Sequence, residues 1–211
     1  MRNGIRLMNL RNLSGHTVDV DRLPERPRVL DVGARGFDFS NDILNLRPKA
    51  RIWALDPDPE IKRPEGLSAR IEFLNVALVH DDRKDSGYAS YSTGEGNMLT
   101  DAASYYDARM LRVPCINIGE LMGELHVDHW DLVKLDCEGS EFDILANWPG
   151  PIADQISVEF HDGHPEEVRA KEQRRQYFND LWVTLNKYTV VQHELFKQGA
   201  WFGHWDSLLV L

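Results

Sequence analysis

The chain has 211 residues, 42% of them apolar, which is long enough to bury one sizeable core and too apolar for global disorder. Its formal charge of −10 repels phosphate backbones and argues against nucleic acid as a partner. Two cysteines, Cys115 and Cys137, form no C-x-x-C pair; they exclude a disulfide scaffold and read as buried, reduced thiols.

Residues 1–14 carry arginines but no apolar run of signal-peptide length. No stretch reaches the roughly 20 apolar residues that span a bilayer, so a cytoplasmic protein without a membrane partner is expected. Residues 1–27 are polar and irregular and read as an amino-terminal extension or short cap, closing on Pro24 and Pro27, ahead of a domain over 28–211. Val29-Leu30-Asp31-Val32 is a short apolar run ended by Gly33, the pattern of a buried parallel strand. Residues 38–47 place Phe39, Ile43, Leu44 and Leu46 at helical spacing, and Pro48 stops them. A second strand spans 52–55 and closes on Asp56-Pro57; a third spans 71–79 with apolar residues on both faces. Over 81–111 the rhythm breaks into charges, the glycines Gly87, Gly94 and Gly96, and the aromatics Tyr88, Tyr91, Tyr105 and Tyr106. That insertion is expected to cover a site as a lid.

Order returns with a strand over 113–118, a helix near 118–125, a strand over 131–136, a helix over 140–147 and a strand over 155–160. Residues 165–185 are helical by pattern. The segments 189–196 and 207–211 read as strands joined by a loop too short for a crossover helix, hence antiparallel. This alternation predicts an α/β fold: a mostly parallel sheet with an antiparallel carboxyl-terminal strand and helices on both faces. Its ligand belongs beyond the carboxyl ends of the strands, at the topological switch point.

Asp31-Val32-Gly33-Ala34-Arg35-Gly36 leads the first strand directly into a helix. Gly33 permits the sharp turn, and Gly36 permits close approach of a ligand to the helix start. Asp56, at the end of the second strand, is placed to accept both hydroxyls of a ribose. The competing reading is a tight βα turn with Asp56 capping the next helix. A nicotinamide fingerprint needs G-x-G-x-x-G, which Gly33 and Gly36, followed by Phe37-Asp38-Phe39, do not supply. The strand-end acids Asp31, Asp136 and Glu138 suit a cation instead.

Three stretches resemble the FkbM-type methyltransferases, a branch of the class I S-adenosylmethionine-dependent enzymes. They are Val29-Leu30-Asp31-Val32-Gly33-Ala34-Arg35-Gly36, Ala54-Leu55-Asp56-Pro57-Asp58-Pro59-Glu60, and Val133-Lys134-Leu135-Asp136-Cys137-Glu138-Gly139-Ser140-Glu141. Asn75-Val76-Ala77-Leu78, residues 113–121 and residues 156–161 fall in the right order. The resemblance runs over about 28–211 and is most specific in the Lys134 to Glu141 stretch. It implies a Rossmann-like class I methyltransferase fold, S-adenosylmethionine as cofactor, and O-methyl transfer to a hydroxyl of a sugar or small natural product. The cofactor-binding residues it implies are Asp31, Gly33, Ala34, Arg35, Gly36, Asp56, Pro57, Asn75, Ala77 and Asp136. The family's first loop usually reads Asp-x-Gly-Ala-Asn-x-Gly; here Arg35 stands at the Asn and Phe37 at the final Gly, with Gly36 one place earlier.

Asp136, Glu138, Glu159 and His161 are expected to converge at the carboxyl edge of the sheet, because strand alternation puts Glu159 and His161 on one face. In one reading His161 or Asp136 is the general base and the others, Glu159 among them, orient it. In the other, Asp136, Glu159 and His161 hold magnesium or manganese, which lowers the pKa of the acceptor hydroxyl. A plain alternative makes His161 a surface histidine and Glu141 an acid favoured in the first turn of its helix. The aromatics from Tyr88 to Tyr106, with Trp201, Phe202, His204 and Trp205, can frame an acceptor pocket. Two other functions compete: a catalytically inactive binding module on this fold, which the altered first loop permits, and an NAD-dependent oxidoreductase, against which the missing third glycine counts. The expected partner is a small-molecule or sugar hydroxyl acceptor, and the sequence does not set the oligomeric state.

Overall fold

The computed structural model describes residues 8–80, 87–93, 98–99, 109–161, 185–196 and 204–211. In chain order they hold β1 (Leu10–Leu13), β2 (His16–Asp19), β3 (Arg28–Val32), α1 (Asp38–Leu46), β4 (Arg51–Leu55), β5 (Ile71–Leu74), β6 (Ala77–Val79), β7 (Tyr88–Thr93) and β8 (Met98–Leu99). There follow β9 (Arg109–Asn117), α2 (Ile118–Leu125), β10 (Leu132–Leu135), α3 (Glu141–Ala146), β11 (Gln155–His161), β12 (Thr189–Phe196) and β13 (His204–Val210). Seven strands join in the order β12-β13-β11-β10-β3-β4-β5. The run from β11 to β5 is parallel, and β13 lies antiparallel to both β11 and β12. The return through β13 follows from the short link after β12, which leaves no room for a crossover helix.

Alternation along each strand sorts the side chains onto two faces. Val29, Ile52, Ala54, Ile71 and Leu132 pack with Phe39 and Ile43 of α1 on one face. Leu30, Val32, Trp53, Leu55, Val133 and Leu135 pack with Leu121 of α2 and Phe142, Ile144 and Leu145 of α3 on the other. Trp53 and Trp130 meet edge to face at 5.1 Å within that second layer. A capping box starts α2, Asn117 Oδ1 accepting from the Glu120 N–H at 2.9 Å. The result is a mostly parallel, doubly covered α/β sheet.

Three stretches depart from the sequence reading. Residues 71–79 make two strands, not one. Asn75 and Val76 interrupt the run, and β6 leaves the main sheet to join a second one in the order β6-β9-β7-β8. Part of the expected insertion over 81–111 belongs to this second sheet, and the strand expected at 113–118 starts at Arg109.

The third departure is the amino terminus. Instead of an irregular stretch, β1 and β2 form an antiparallel hairpin turned at Ser14 and Gly15, both at positive φ. All four residues of β2 are buried although three are polar, so apolar content gave no sign of the strand. They cover the polar side of β11. Asp19 and Gln155 exchange two hydrogen bonds, from the Asp19 N–H to Gln155 Oε1 at 2.9 Å and from Gln155 Nε2 to the Asp19 carbonyl at 3.1 Å. Ser14 Oγ reaches Asp42 on α1 at 2.7 Å, and Arg22 Nη1 reaches the Leu211 carbonyl at 2.8 Å. Apart from Leu185, the helix expected over 165–185 lies outside the described residues, as do Tyr105, Tyr106, Trp201 and Phe202. Among the described residues, no helix is long and apolar enough to cross a membrane.

Candidate active site

The chain propagates outward from β3 and β10 in opposite directions, so the crevice at their carboxyl ends is the switch point. Gly33 leaves β3 at φ +79°, where a Cβ would stand 1.7 Å from the Asp136 carbonyl oxygen. Only glycine lets the first loop rest on the end of β10. The Gly33 and Ala34 N–H groups donate to the Leu55 carbonyl at 2.9 and 3.1 Å, which ties the loop to β4. Phe37 adopts φ 59° at the start of α1, a left-handed position suited to the glycine of the family loop. Its ring is buried and meets Phe73 edge to face at 5.2 Å, so packing offsets the backbone strain. Arg35 and Gly36 are exposed and Ala34 is buried.

Asp56 follows β4, only 6% exposed, and its Oδ1 accepts from the Asp58 N–H at 3.0 Å. Asn75 Nδ2 donates to the Asp56 and Asp58 carbonyls, both at 2.8 Å, and so fastens this turn to the end of β5. Burial lifts the Asp56 carboxyl above its ordinary pKa, against the Asp58 N–H bond that lowers it. Pro57 is half-buried beside it. Asp31 is wholly buried and accepts from Ser40 Oγ at 2.7 Å, so it supports the first loop from beneath. Ala77 packs in the second sheet with Val79 and Tyr91. The remaining predicted cofactor residues gather around the first loop and the β4 turn, except Asp136, which belongs to the next group.

Lys134 anchors that group. It is buried in β10, donates from Nζ to the Val32 and Gly33 carbonyls at 3.1 and 2.7 Å, and lies 3.4 Å from Asp31 and 3.3 Å from Asp136. Burial pulls its pKa down, but the two carboxylates outweigh burial and hold it above the ordinary lysine value. Asp136 Oδ2 also faces His16 Nε2 at 3.5 Å, and Oδ1 faces His161 Nε2 at 3.8 Å. Burial favours protonation of Asp136, yet His16, Lys134 and His161 together hold it well below the usual carboxylate range.

His161 sits inside a ring of acids. Nδ1 lies 3.1 Å from Glu141 Oε1, and Nε2 lies 3.6 Å from Glu159, 3.7 Å from Glu138 and 3.8 Å from Asp136. Burial alone lowers its pKa, but the Glu141 bond and the neighbouring carboxylates raise it to about 9. The surrounding carboxylates thus favour the protonated form of His161. Glu141 does more than occupy a favourable helix turn. Wholly buried, it accepts from the Cys137 N–H at 2.7 Å and the Gly139 N–H at 3.0 Å while holding His161. Glu138 carries φ 52°, unusual for a residue with a Cβ, and burial raises its pKa.

Ligand atoms of Asp136, Glu138 and His161, and of His16, Asp136 and Glu159, lie within 4.8 Å of one another. The Lys134 ammonium, 3.3 Å from Asp136, already places a cation inside this donor set and works against a magnesium or manganese ion there. Asp136, Glu138, Glu159 and His161 do meet at the sheet edge. Sequence reasoning missed His16 and Lys134. A lysine inside the buried run Leu132-Val133-Lys134-Leu135 was a usable signal, since unpaired lysine is almost never fully buried. His16 gave none.

The His161 pKa makes a thermodynamic prediction. A folded-state value of about 9 against an ordinary 6.5 stabilises the fold fully below pH 6.5, and this contribution disappears as pH rises to about 9. Urea unfolding is expected to lose roughly 3 kcal/mol across that window. His161→Gln is expected to flatten the slope; an unchanged slope would assign it to other groups.

A sequence model of the FkbM methyltransferase domain matches residues 31–190. The chain belongs to the FkbM methyltransferase family. Two curated relatives accompany this FkbM match. The 2-O-methyltransferase NoeI of Sinorhizobium fredii is 27% identical over 143 residues, covering 57% of this chain and 56% of NoeI. The AMB antimetabolite synthetase AmbE of Pseudomonas aeruginosa is 26% identical over 182 residues, covering 66% of this chain and 9% of AmbE. The chain thus spans about half of one relative and a small part of the other. In fold, the FkbM chain superposes on a Clostridium thermocellum structure described as an rRNA-methylase. The TM-score is 0.52 and the identity 13%, with 96% of this chain and 97% of that one covered. This likeness concerns architecture alone.

Proposed function

We propose that this FkbM-family chain is an S-adenosylmethionine-dependent O-methyltransferase acting on a hydroxyl of a sugar or small natural product. One observation carries the reading. Asp56, buried and oriented by the Asp58 N–H and by Asn75, shares the carboxyl edge of the sheet with the acid-rich group around Asp136. A fixed carboxylate suits a ribose diol, and an acidic edge suits a sulfonium, so the donor set fits the cofactor. NoeI, a 2-O-methyltransferase, supports a hydroxyl as acceptor.

When bound, S-adenosylmethionine would supply a methyl group on its sulfonium, with S-adenosylhomocysteine as the leaving group and the acceptor's proton passing to a base. Residues of this chain then have two tasks: alignment, which alone can lower the barrier by several kcal/mol, and removal of the acceptor proton. Asp136, held ionised, sets negative charge at the strand end. Glu138 is the base we favour, because its carboxylate is the most solvent-accessible of the four around His161, 3.7 Å from Nε2, and its burial raises its pKa. His161, already charged, donates rather than accepts, and Glu159 orients it at 3.6 Å. The surplus of acids at this edge disfavours phosphorylated acceptors and leaves neutral hydroxyls.

Titration calorimetry with S-adenosylhomocysteine and NAD tests the reading. Micromolar binding of the former supports it; binding of NAD alone would indicate an oxidoreductase, and silence toward both a binding module. Asp56→Ala is expected to weaken S-adenosylhomocysteine binding by about 1–3 kcal/mol, the scale of hydrogen bonds to a charged group. If that variant binds as tightly as the parent, the ribose is not held by Asp56.

A further inference from the structure

We propose that the β1–β2 hairpin is a working part of the active site, with His16 as the residue that positions Asp136. The inference rests on the methyltransferase reading, which puts the reactive methyl group at the Asp136 end of β10. β2 crosses the sheet face that carries Lys134, Asp136 and the alternate polar residues Gln155, Ser157, Glu159 and His161 of β11. At its far end the Asp19–Gln155 pair fixes it to the start of β11, and at its turn Ser14 fixes it to α1. His16 is thus held from both sides. Its ring lies edge-on to Phe39 of α1, with centroids 5.6 Å apart, and is only 2% exposed.

Nothing in ordinary packing asks for a histidine here. His16 Nδ1 is buried without a hydrogen-bond partner among the described residues, a penalty that an apolar residue in the same space would avoid. What the imidazole supplies is Nε2, 3.5 Å from Asp136 Oδ2. Lys134 Nζ approaches the same oxygen at 3.3 Å. Both nitrogens lie against the same oxygen, and Oδ1 is left facing His161 Nε2 at 3.8 Å. Lys134 comes from the strand that bears Asp136, but His16 comes from a hairpin upstream of Asp31, where the FkbM match begins.

Ligand discrimination tests this without knowledge of the acceptor. Sinefungin carries an ammonium-bearing carbon where S-adenosylmethionine has its methylsulfonium, whereas S-adenosylhomocysteine is neutral there. A positioned Asp136 carboxylate is expected to make the parent bind sinefungin about tenfold more tightly than S-adenosylhomocysteine. His16→Leu is expected to remove most of that preference while S-adenosylhomocysteine affinity and melting temperature hold. His16→Gln, which keeps an N–H donor near the Nε2 position, is expected to restore it. Four outcomes overturn the inference. The parent shows no preference; His16→Leu keeps the preference; His16→Gln fails to restore it; or His16→Leu loses both affinities and thermal stability together, which marks a packing role. A parent that binds neither compound removes the methyltransferase reading itself, and the inference with it.

Discussion

Gly33→Ala is expected to destabilise the chain by about 3–5 kcal/mol and to abolish cofactor binding. Two effects add. At φ +79° an L-residue with a Cβ is strained by about 1–2 kcal/mol. The larger effect is steric. The new methyl would stand 1.7 Å from the Asp136 carbonyl oxygen and 2.8 Å from its carbon, both backbone atoms that cannot swing away as a side chain can. The first loop would have to lift from β10. That would break the Lys134 bonds to the Val32 and Gly33 carbonyls and displace the turn from the end of β4. Gly139→Ala is the control, because Gly139 has φ +106° but a methyl added there would meet no atom within 4 Å among the described residues. It should show the conformational cost alone. Urea unfolding of both variants separates the effects, and equal losses would mean that loop and strand are not packed as described.

How far the sequence reveals this molecule depends on whether local pattern or distant contact sets each feature. The β3, β4 and β10 strands are short, mostly apolar runs closed by glycine or acid, and β11 alternates polar with apolar residues, so their positions and the α/β alternation are legible from pattern alone. The run over 71–79 misleads because Asn75 is spent on the Asp56 and Asp58 carbonyls; its role is set by partners in the β4 turn, which no local pattern reveals. The hairpin is hidden for a related reason. His16, Thr17 and Asp19 are polar yet buried, and they are buried because β11 offers them a polar face. Alternation was enough to bring Glu159 and His161 to one edge beside Asp136. It was not enough to set their charges. The raised pKa at His161 depends on Glu141 from a different element, a contact that no local pattern reveals.

Lys134→Met is expected to cost about 3–5 kcal/mol at neutral pH, although methionine fills nearly the same volume. The loss comes from the groups left behind. Asp31 is fully buried and, among the described residues, keeps only Ser40 Oγ as a hydrogen-bond donor, and Asp136 loses its neighbour at 3.3 Å. The Gly33 carbonyl also loses the Lys134 donor, whereas the Val32 carbonyl keeps the Asp136 N–H. Removing one partner of a buried charge group costs far more than replacing the whole group, because desolvated charge is left uncompensated. Asp31→Asn and Asp136→Asn added to Lys134→Met are therefore expected to recover much of the stability. The pH dependence has a definite sign. Asp136 has a depressed folded-state pKa, so its ionised form stabilises the fold above an unfolded value of about 4 and ceases to do so as pH falls through the folded one. Lys134 is one cause of that depression, and without it the contribution shrinks. The gap between parent and Lys134→Met should then be widest near neutrality and narrow below about pH 4. A gap that stays constant with pH would mean that Lys134 acts through packing of its methylene chain rather than through its charge.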